Sequence, residues 1–141
     1  MTGNKTFTMI KPLTVEQGHS GEIVARIEQE GYRIAALKMV CLSRREAEAF
    51  YQVHRDRPFF APLTYYMSSG PIVAAILLKE NAVEDYRMLI GATNPAEAAD
   101  GTIRKQFGTD LTKNAVHGSD CDENAEIECR FFFSGLEEMW Q

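Results

Sequence analysis

Seven consecutive apolar residues, Ile72 to Leu78, follow Gly70-Pro71 and stop at Lys79. A strand with one wet face alternates polar and apolar residues. An unbroken run of this length, closed by a turn, fits a strand buried on both faces. It is far shorter than the roughly 20 residues a membrane span needs. The rest of the chain must be arranged around this central strand. With 141 residues it has the length of one domain, 1–141, able to bury most of its unfolded surface without disulfides or a structural metal.

The flanking segments suggest the partners. Lys5 to Ile10 reads as a first strand, with Phe7 and Met9 on one face, stopped by Lys11-Pro12. Ser20 to Glu30 reads as a helix: Ile23, Val24 and Ile27 share a face, and Gly31 suits the position just past its end. Arg33 to Leu42 reads as a second strand. Ser43-Arg44-Arg45-Glu46 is a capping-box pattern opening a helix through about Val53. A short helix is expected over Phe60 to Met67. Beyond the central run, Asn81-Ala82-Val83-Glu84 reads as a cap and the helix after it runs to Ile90. Gly91 to Lys113 reads as a long loop, of the kind that is functional or disordered in small domains. Asn114 to His117 reads as a last short strand, Asp122 to Cys129 as a helix, and Arg130 to Phe133 as extended. With the extra helices set aside the order is βαββαβ. It predicts an α+β, ferredoxin-like sandwich: an antiparallel sheet with helices packed on one face.

Charge and cysteines narrow the function. Fifteen Lys and Arg stand against 20 Asp and Glu, a net charge of −5, which argues against a dedicated nucleic-acid binder. Met1 to Thr8 has no apolar leader, so neither secretion nor a membrane partner is expected. Cys41, Cys121 and Cys129 are odd in number and lack CxxC spacing, which suits free thiols in a reducing cytoplasm. There is no Walker loop, no G-x-G-x-x-G and no H-E-x-x-H. His19, His54 and His117 lack metal-ligand spacing.

The informative stretch is Asn114-Ala115-Val116-His117-Gly118-Ser119-Asp120. It places a histidine where a strand meets a loop. Gly118 lets the backbone turn closely beside it. Ser119 and Asp120 can cap the next helix, whose positive end would face the imidazole. Glu128 lies in that helix and can reach back to the ring. An exposed imidazole with one nitrogen oriented by a carboxylate suits a nucleophile, and a positive helix end suits an incoming anion. The plainer alternative is a satisfied loop or core histidine, with Asp120 as a mere cap.

A phosphoryl acceptor without a glycine loop needs side chains to hold phosphates. Lys11 ends the first strand, Arg87 lies late in a helix, and Arg104 lies in Gly101-Thr102-Ile103-Arg104. Each can make charge-assisted bonds to phosphate, although most of the basic residues must be solvated surface charges. Tyr51, Phe59, Phe60, Tyr65 and Tyr66 cluster around Arg55-Asp56-Arg57-Pro58. Phe59 beside a proline can stack on a base; a helix hairpin packing on the core accounts better for Phe60 and Tyr66.

Together these segments resemble the nucleoside diphosphate kinase family over nearly the whole chain, from about Lys5 to Phe133. The likeness rests on Lys11-Pro12, Arg57-Pro58-Phe59-Phe60, Ser69-Gly70-Pro71, Arg87 with Gly91-Ala92-Thr93-Asn94-Pro95, Gly101-Thr102-Ile103-Arg104, and Asn114 to Asp120. It implies a ferredoxin-like fold and a ping-pong transferase acting in nucleotide metabolism. A nucleoside triphosphate, mainly ATP, would give its γ-phosphoryl group to His117 at Nδ1, and a nucleoside diphosphate would then collect it. Carried over by position, Lys11, Arg87, Thr93 and Arg104 hold phosphates. Asn114 and Lys11 meet the sugar hydroxyls, Phe59 stacks on the base and Leu111 lies across from it. Tyr51 and Glu128 support His117, and Ser119 holds the geometry. The implied cofactor is Mg²⁺, held through the phosphates with no direct protein ligand. The implied assembly is a homo-oligomer, with a tetramer favoured because the chain ends soon after Trp140 and a hexamer as the alternative.

Leu13-Thr14 depart from the family's usual Asp-Gly or Asp-Ala after Lys11-Pro12, which changes the turn that carries the lysine. Cys121 stands where the family usually has a small residue without a thiol, and reads as a filler or a redox-sensitive group. Two other readings compete: a non-catalytic nucleotide-binding module on the same fold, and a nucleic-acid-binding ferredoxin-like domain. The retained site residues oppose the first. The acidity and the missing RNA-recognition aromatics oppose the second.

Overall fold

The computed structural model describes residues 3–140. Met1, Thr2 and Gln141, the outermost residues of the expected domain and the start of the segment read for a leader, lie outside the described residues. The sheet holds β1 (Lys5–Ile10), β2 (Arg33–Val40), β3 (Ile72–Leu78) and β4 (Val116–Gly118), in the order β2-β3-β1-β4. Each neighbouring pair is antiparallel, with Phe7 opposite Ile76 and Met9 opposite His117. Among the described residues six helices lie between the strands, α1 (Pro12–Glu16), α2 (Ser20–Gln29), α3 (Arg44–Phe50), α4 (Phe60–Met67), α5 (Ala82–Ile90) and α6 (Ile103–Phe107), and α7 (Asp122–Phe132) follows β4. This is the ferredoxin-like arrangement.

The apolar run of β3 divides between two cores, as a doubly covered strand must. Ile72, Ala74 and Ile76 join Phe7 and Met9 on one face. Val73, Ala75 and Leu77 join Ile10 on the other. The two helices of the βαββαβ frame share that second face, through Ile23 and Ile27 of α2 and Tyr86 and Ile90 of α5. The inserted α3, α4 and α7 cover the first with Ala47, Leu63, Met67, Cys129 and Phe132.

Local chemistry explains most boundaries. Gly31 takes φ +96 after α2, a conformation that costs glycine least. Ser43 and Glu46 form the expected capping box: the Glu46 N–H donates to Ser43 Oγ and the Ser43 N–H to Glu46 Oε1. Other boundaries differ from expectation. Pro12 does not merely end β1; it is the first residue of α1, where a missing N–H costs nothing. Asn81 takes φ 57 and does not cap α5; its amide donates to Asp85 instead. β2 stops at Val40, and α3 ends at Phe50 before a separate 3-10 turn, Gln52–His54. The segment read as a long loop contains α6, whose cap Thr102 accepts the Lys105 N–H. β4 starts only at Val116, because Ala115 has φ 75. Residues 130–132 are helical, not extended: α7 runs on to stack Phe132 against Phe7, centroids 5.1 Å apart.

Candidate active site

His117 sits in the middle of edge strand β4, held by pairing with Met9. Nε2 lies 2.9 Å from Glu128 Oε1. An ionised carboxylate only accepts, so the ring proton belongs on Nε2 and the Nδ1 lone pair is left free. The Ser119 hydroxyl donates to the same Glu128 oxygen at 2.6 Å, and the Phe7 N–H donates to Ser119 Oγ at 3.3 Å. Ser119 is fully buried. It therefore orients Glu128 and does not cap α7. Cys121 is that cap, its sulfur accepting the Asn124 N–H. Asp120 binds the Asn124 amide, which helps hold its carboxyl below the usual range. The residue of α7 that meets the imidazole is Glu128, nearly two turns into the helix.

Aromatic rings box the imidazole in. Phe50 and Tyr51 stand edge-on at centroid distances of 5.4 and 6.2 Å, and Phe7 is tilted at 6.1 Å. Nothing in the sequence marks Phe7 or Phe50 for this role; Phe7 shows only the alternation of a strand face. Gly118 acts differently from expectation. A side chain there would meet Ile90 Cδ1 at 3.0 Å, so glycine is needed for close packing of β4 on α5.

A second group lies where β1, α6 and the chain before β4 converge. Lys11 is 6% exposed, and its Nζ donates to the Thr112 carbonyl at 3.4 Å. Burial, reinforced by the Arg104 charge and opposed by Asp110, brings its pKa down from 10.5 to about 7. Arg104 is also buried, donating to the Gly91 and Val116 carbonyls at 3.0 Å each. Burial lowers its pKa from 12.5 to about 10. Asn114 donates from its amide to the Thr93 and Leu111 carbonyls. Arg87 and the Thr93 side chain are exposed. Phe59 and Leu111 are exposed as well, and the ring contacts of Phe59 are with His54 and Arg57. Leu13 carries the altered turn, its N–H donating to the Tyr66 hydroxyl at 2.9 Å.

The unmet hydrogen bonds are unevenly placed. Among the described residues five buried side-chain atoms have no partner: Thr6 Oγ1, Ser20 Oγ, the Tyr51 hydroxyl, Arg104 Nε and Asn114 Oδ1. The last three belong to residues expected at the site. Buried polar atoms are normally paired, so such a concentration suits a place where a bound molecule completes the bonding.

Comparison with known proteins identifies the architecture. The sequence model of the family described as "Nucleoside diphosphate kinase" matches residues 4–138. The chain belongs to the nucleoside diphosphate kinase family. A nucleoside diphosphate kinase of Flavobacterium psychrophilum is 57% identical over 99% of this chain and 100% of its own length. A crystal structure of the Aquifex aeolicus nucleoside diphosphate kinase superposes with a TM-score of 0.95 at 48% identity, covering 96% of this chain and 99% of that one. A halophilic member from Halobacterium salinarum, solved in complex with CDP, gives 0.93 at 37% identity, covering 99% and 93%. Membership makes the protein a phosphotransferase that moves a γ-phosphoryl group between nucleotides.

Proposed function

We propose that His117 is the residue that carries the phosphoryl group, through Nδ1. Partnerless buried atoms on Tyr51, Arg104 and Asn114, together with a histidine whose Nε2 is held by Glu128, carry this reading. Nδ1 attacks the γ-phosphorus of a nucleoside triphosphate, mainly ATP; the N–P bond forms as the bond to the diphosphate oxygen breaks. The Nε2 proton stays on the ring, and Glu128 offsets the positive charge that develops there. Ser119 holds Glu128 in place, and Tyr51 supports the ring. The departing diphosphate is replaced by another, whose terminal oxygen takes the phosphoryl group back.

Lys11, Arg87, Thr93 and Arg104 hold the phosphates. A loose phosphoryl transition state needs such positioning and charge more than covalent help. Asn114 Oδ1 and Lys11 meet the sugar hydroxyls. Phe59 and Leu111 flank the base without reading its edge, so base preference is broad. Mg²⁺ would be held through the phosphates those cations grip and would offset their negative charge. Lys11, Arg87 and Arg104 supply cations to the cleft, a donor set that suits an ion carried in on the phosphates.

Residues 1–141 form one kinase domain. Leu37 and Met39 stand half-exposed or more on edge strand β2, which supports a homo-oligomer. No helix among the described residues is long and apolar enough to cross a membrane, and three unpaired cysteines support a cytoplasmic location. Mixing the protein with ATP, Mg²⁺ and GDP tests the reading. GTP must appear, and an adduct formed with ATP alone must be acid-labile and base-stable.

A further inference from the structure

Asp110 had no place among the expected site residues, yet the turn before Asn114 is built on it. Its Oδ1 accepts the Thr112 N–H at 3.0 Å and the Lys113 N–H at 2.7 Å. The Thr109 and Asp110 N–H groups in turn donate to the Lys113 carbonyl, closing the turn from both sides. Groups of the nucleotide cleft hang from this turn. The Thr112 carbonyl receives Lys11 Nζ, and the Leu111 carbonyl receives the Asn114 amide. The Leu111 side chain is left 60% exposed.

We propose that Asp110 is a positioning residue for the nucleotide's sugar and base: by fastening residues 109–113 it sets Leu111 and the two carbonyls that hold Lys11 and Asn114. The proposal rests on the roles given above to those three residues. A turn of exposed residues without this anchor would sample many conformations, and each nucleotide would have to order it on binding. Asp110 also acts by charge. Two charged groups bear on Lys11: Arg104 of α6 repels its proton and Asp110 of the turn retains it. Asparagine keeps an oxygen acceptor but removes the charge; alanine removes both.

Steady-state transfer from ATP to GDP separates the two effects. Asp110→Ala raises KM for GDP about tenfold, because the nucleotide must then order the turn on binding, while kcat stays within about twofold. Asp110→Asn restores most of KM at pH 6.5 but moves the alkaline limb of kcat/KM to lower pH, because that limb reports the free enzyme. A merely structural turn would not move that limb. Wild-type KM in Asp110→Ala, or an unmoved limb in Asp110→Asn, overturns the proposal; if the alanine variant does not fold, the asparagine profile decides. A wild-type protein that takes no phosphoryl group from ATP would instead overturn the reading of His117, so that is measured first.

Discussion

His117 Nε2 and the Ser119 hydroxyl meet on one oxygen of Glu128, at 2.9 and 2.6 Å. The shared acceptor links the edge strand to α7 and fixes which imidazole nitrogen faces the cleft. Glu128→Ala should lower kcat about ten- to a hundredfold, the value of one charge-assisted hydrogen bond, with KM little changed. Ser119→Ala should cost less, about two- to tenfold, because Glu128 keeps its bond to His117. Single-turnover phosphorylation by ATP measures both. A Ser119 variant worse than the Glu128 variant would show that the order of support is wrong.

Lys11 should oppose stability while serving binding. Its pKa is about 7 in the folded protein and 10.5 otherwise. Between those values the unfolded chain holds a proton that the folded chain has lost, so this residue makes stability rise with pH. Below the lower value the cost of burying the cation is present in full. Lys11→Met should therefore unfold at higher temperature than wild type at pH 6.5, by about 1–3 kcal/mol, with the difference shrinking by pH 8.5. The same variant should fail to bind GDP. Calorimetry near pH 8 in buffers of different ionisation enthalpy should show wild type taking up a proton with GDP, as phosphate restores the lysine's charge.

Arg104 ties the end of α5 to β4 through the Gly91 and Val116 carbonyls. Arg104→Lys keeps the charge but cannot span both acceptors. Urea unfolding should show a loss of about 1–3 kcal/mol, and KM for the nucleotide should rise. Unchanged stability would mean that water replaces the guanidinium at no cost.

Gly91, whose carbonyl is one of that arginine's acceptors, also turns the chain at the end of α5. It has φ +90, and a Cβ would lie 2.6 Å from Thr102 Oγ1. Gly91→Ala combines backbone strain with overpacking and should destabilise by about 2–4 kcal/mol. Adding Thr102→Ser removes the methyl but leaves the hydroxyl close and the strain intact, so thermal unfolding should recover only part of the loss.

The frame of the fold was legible because burial leaves a direct mark on sequence. The β3 run, the Phe7–Met9 alternation and the Ser43–Glu46 box each have one physical reading. What escaped was decided by tertiary contact or by signals with two meanings. Lys11-Pro12 suits the end of a strand and the start of a helix alike. Arg130 to Phe133 has the aromatic content of a strand, but packing of Phe132 on Phe7 keeps it helical. His117, Glu128, Lys11, Arg87, Arg104 and Phe59 stood out by their own chemistry, and family motifs named the other site residues. The ring cage of Phe7 and Phe50 and the anchoring role of Asp110 were marked by neither, because both arise from chain segments distant in sequence or from backbone bonding with no motif of its own.

The position of the phosphoryl group tests the account most directly. Wild-type protein incubated with ATP and Mg²⁺ should be digested and the adduct located by mass spectrometry, and phosphorus NMR on the intact protein should identify the nitrogen. The account predicts one phosphoryl group on His117 Nδ1, discharged by GDP to give GTP, and none in His117→Ala. A phosphoryl group on another residue or on Nε2, or wild-type transfer by His117→Ala, would contradict it.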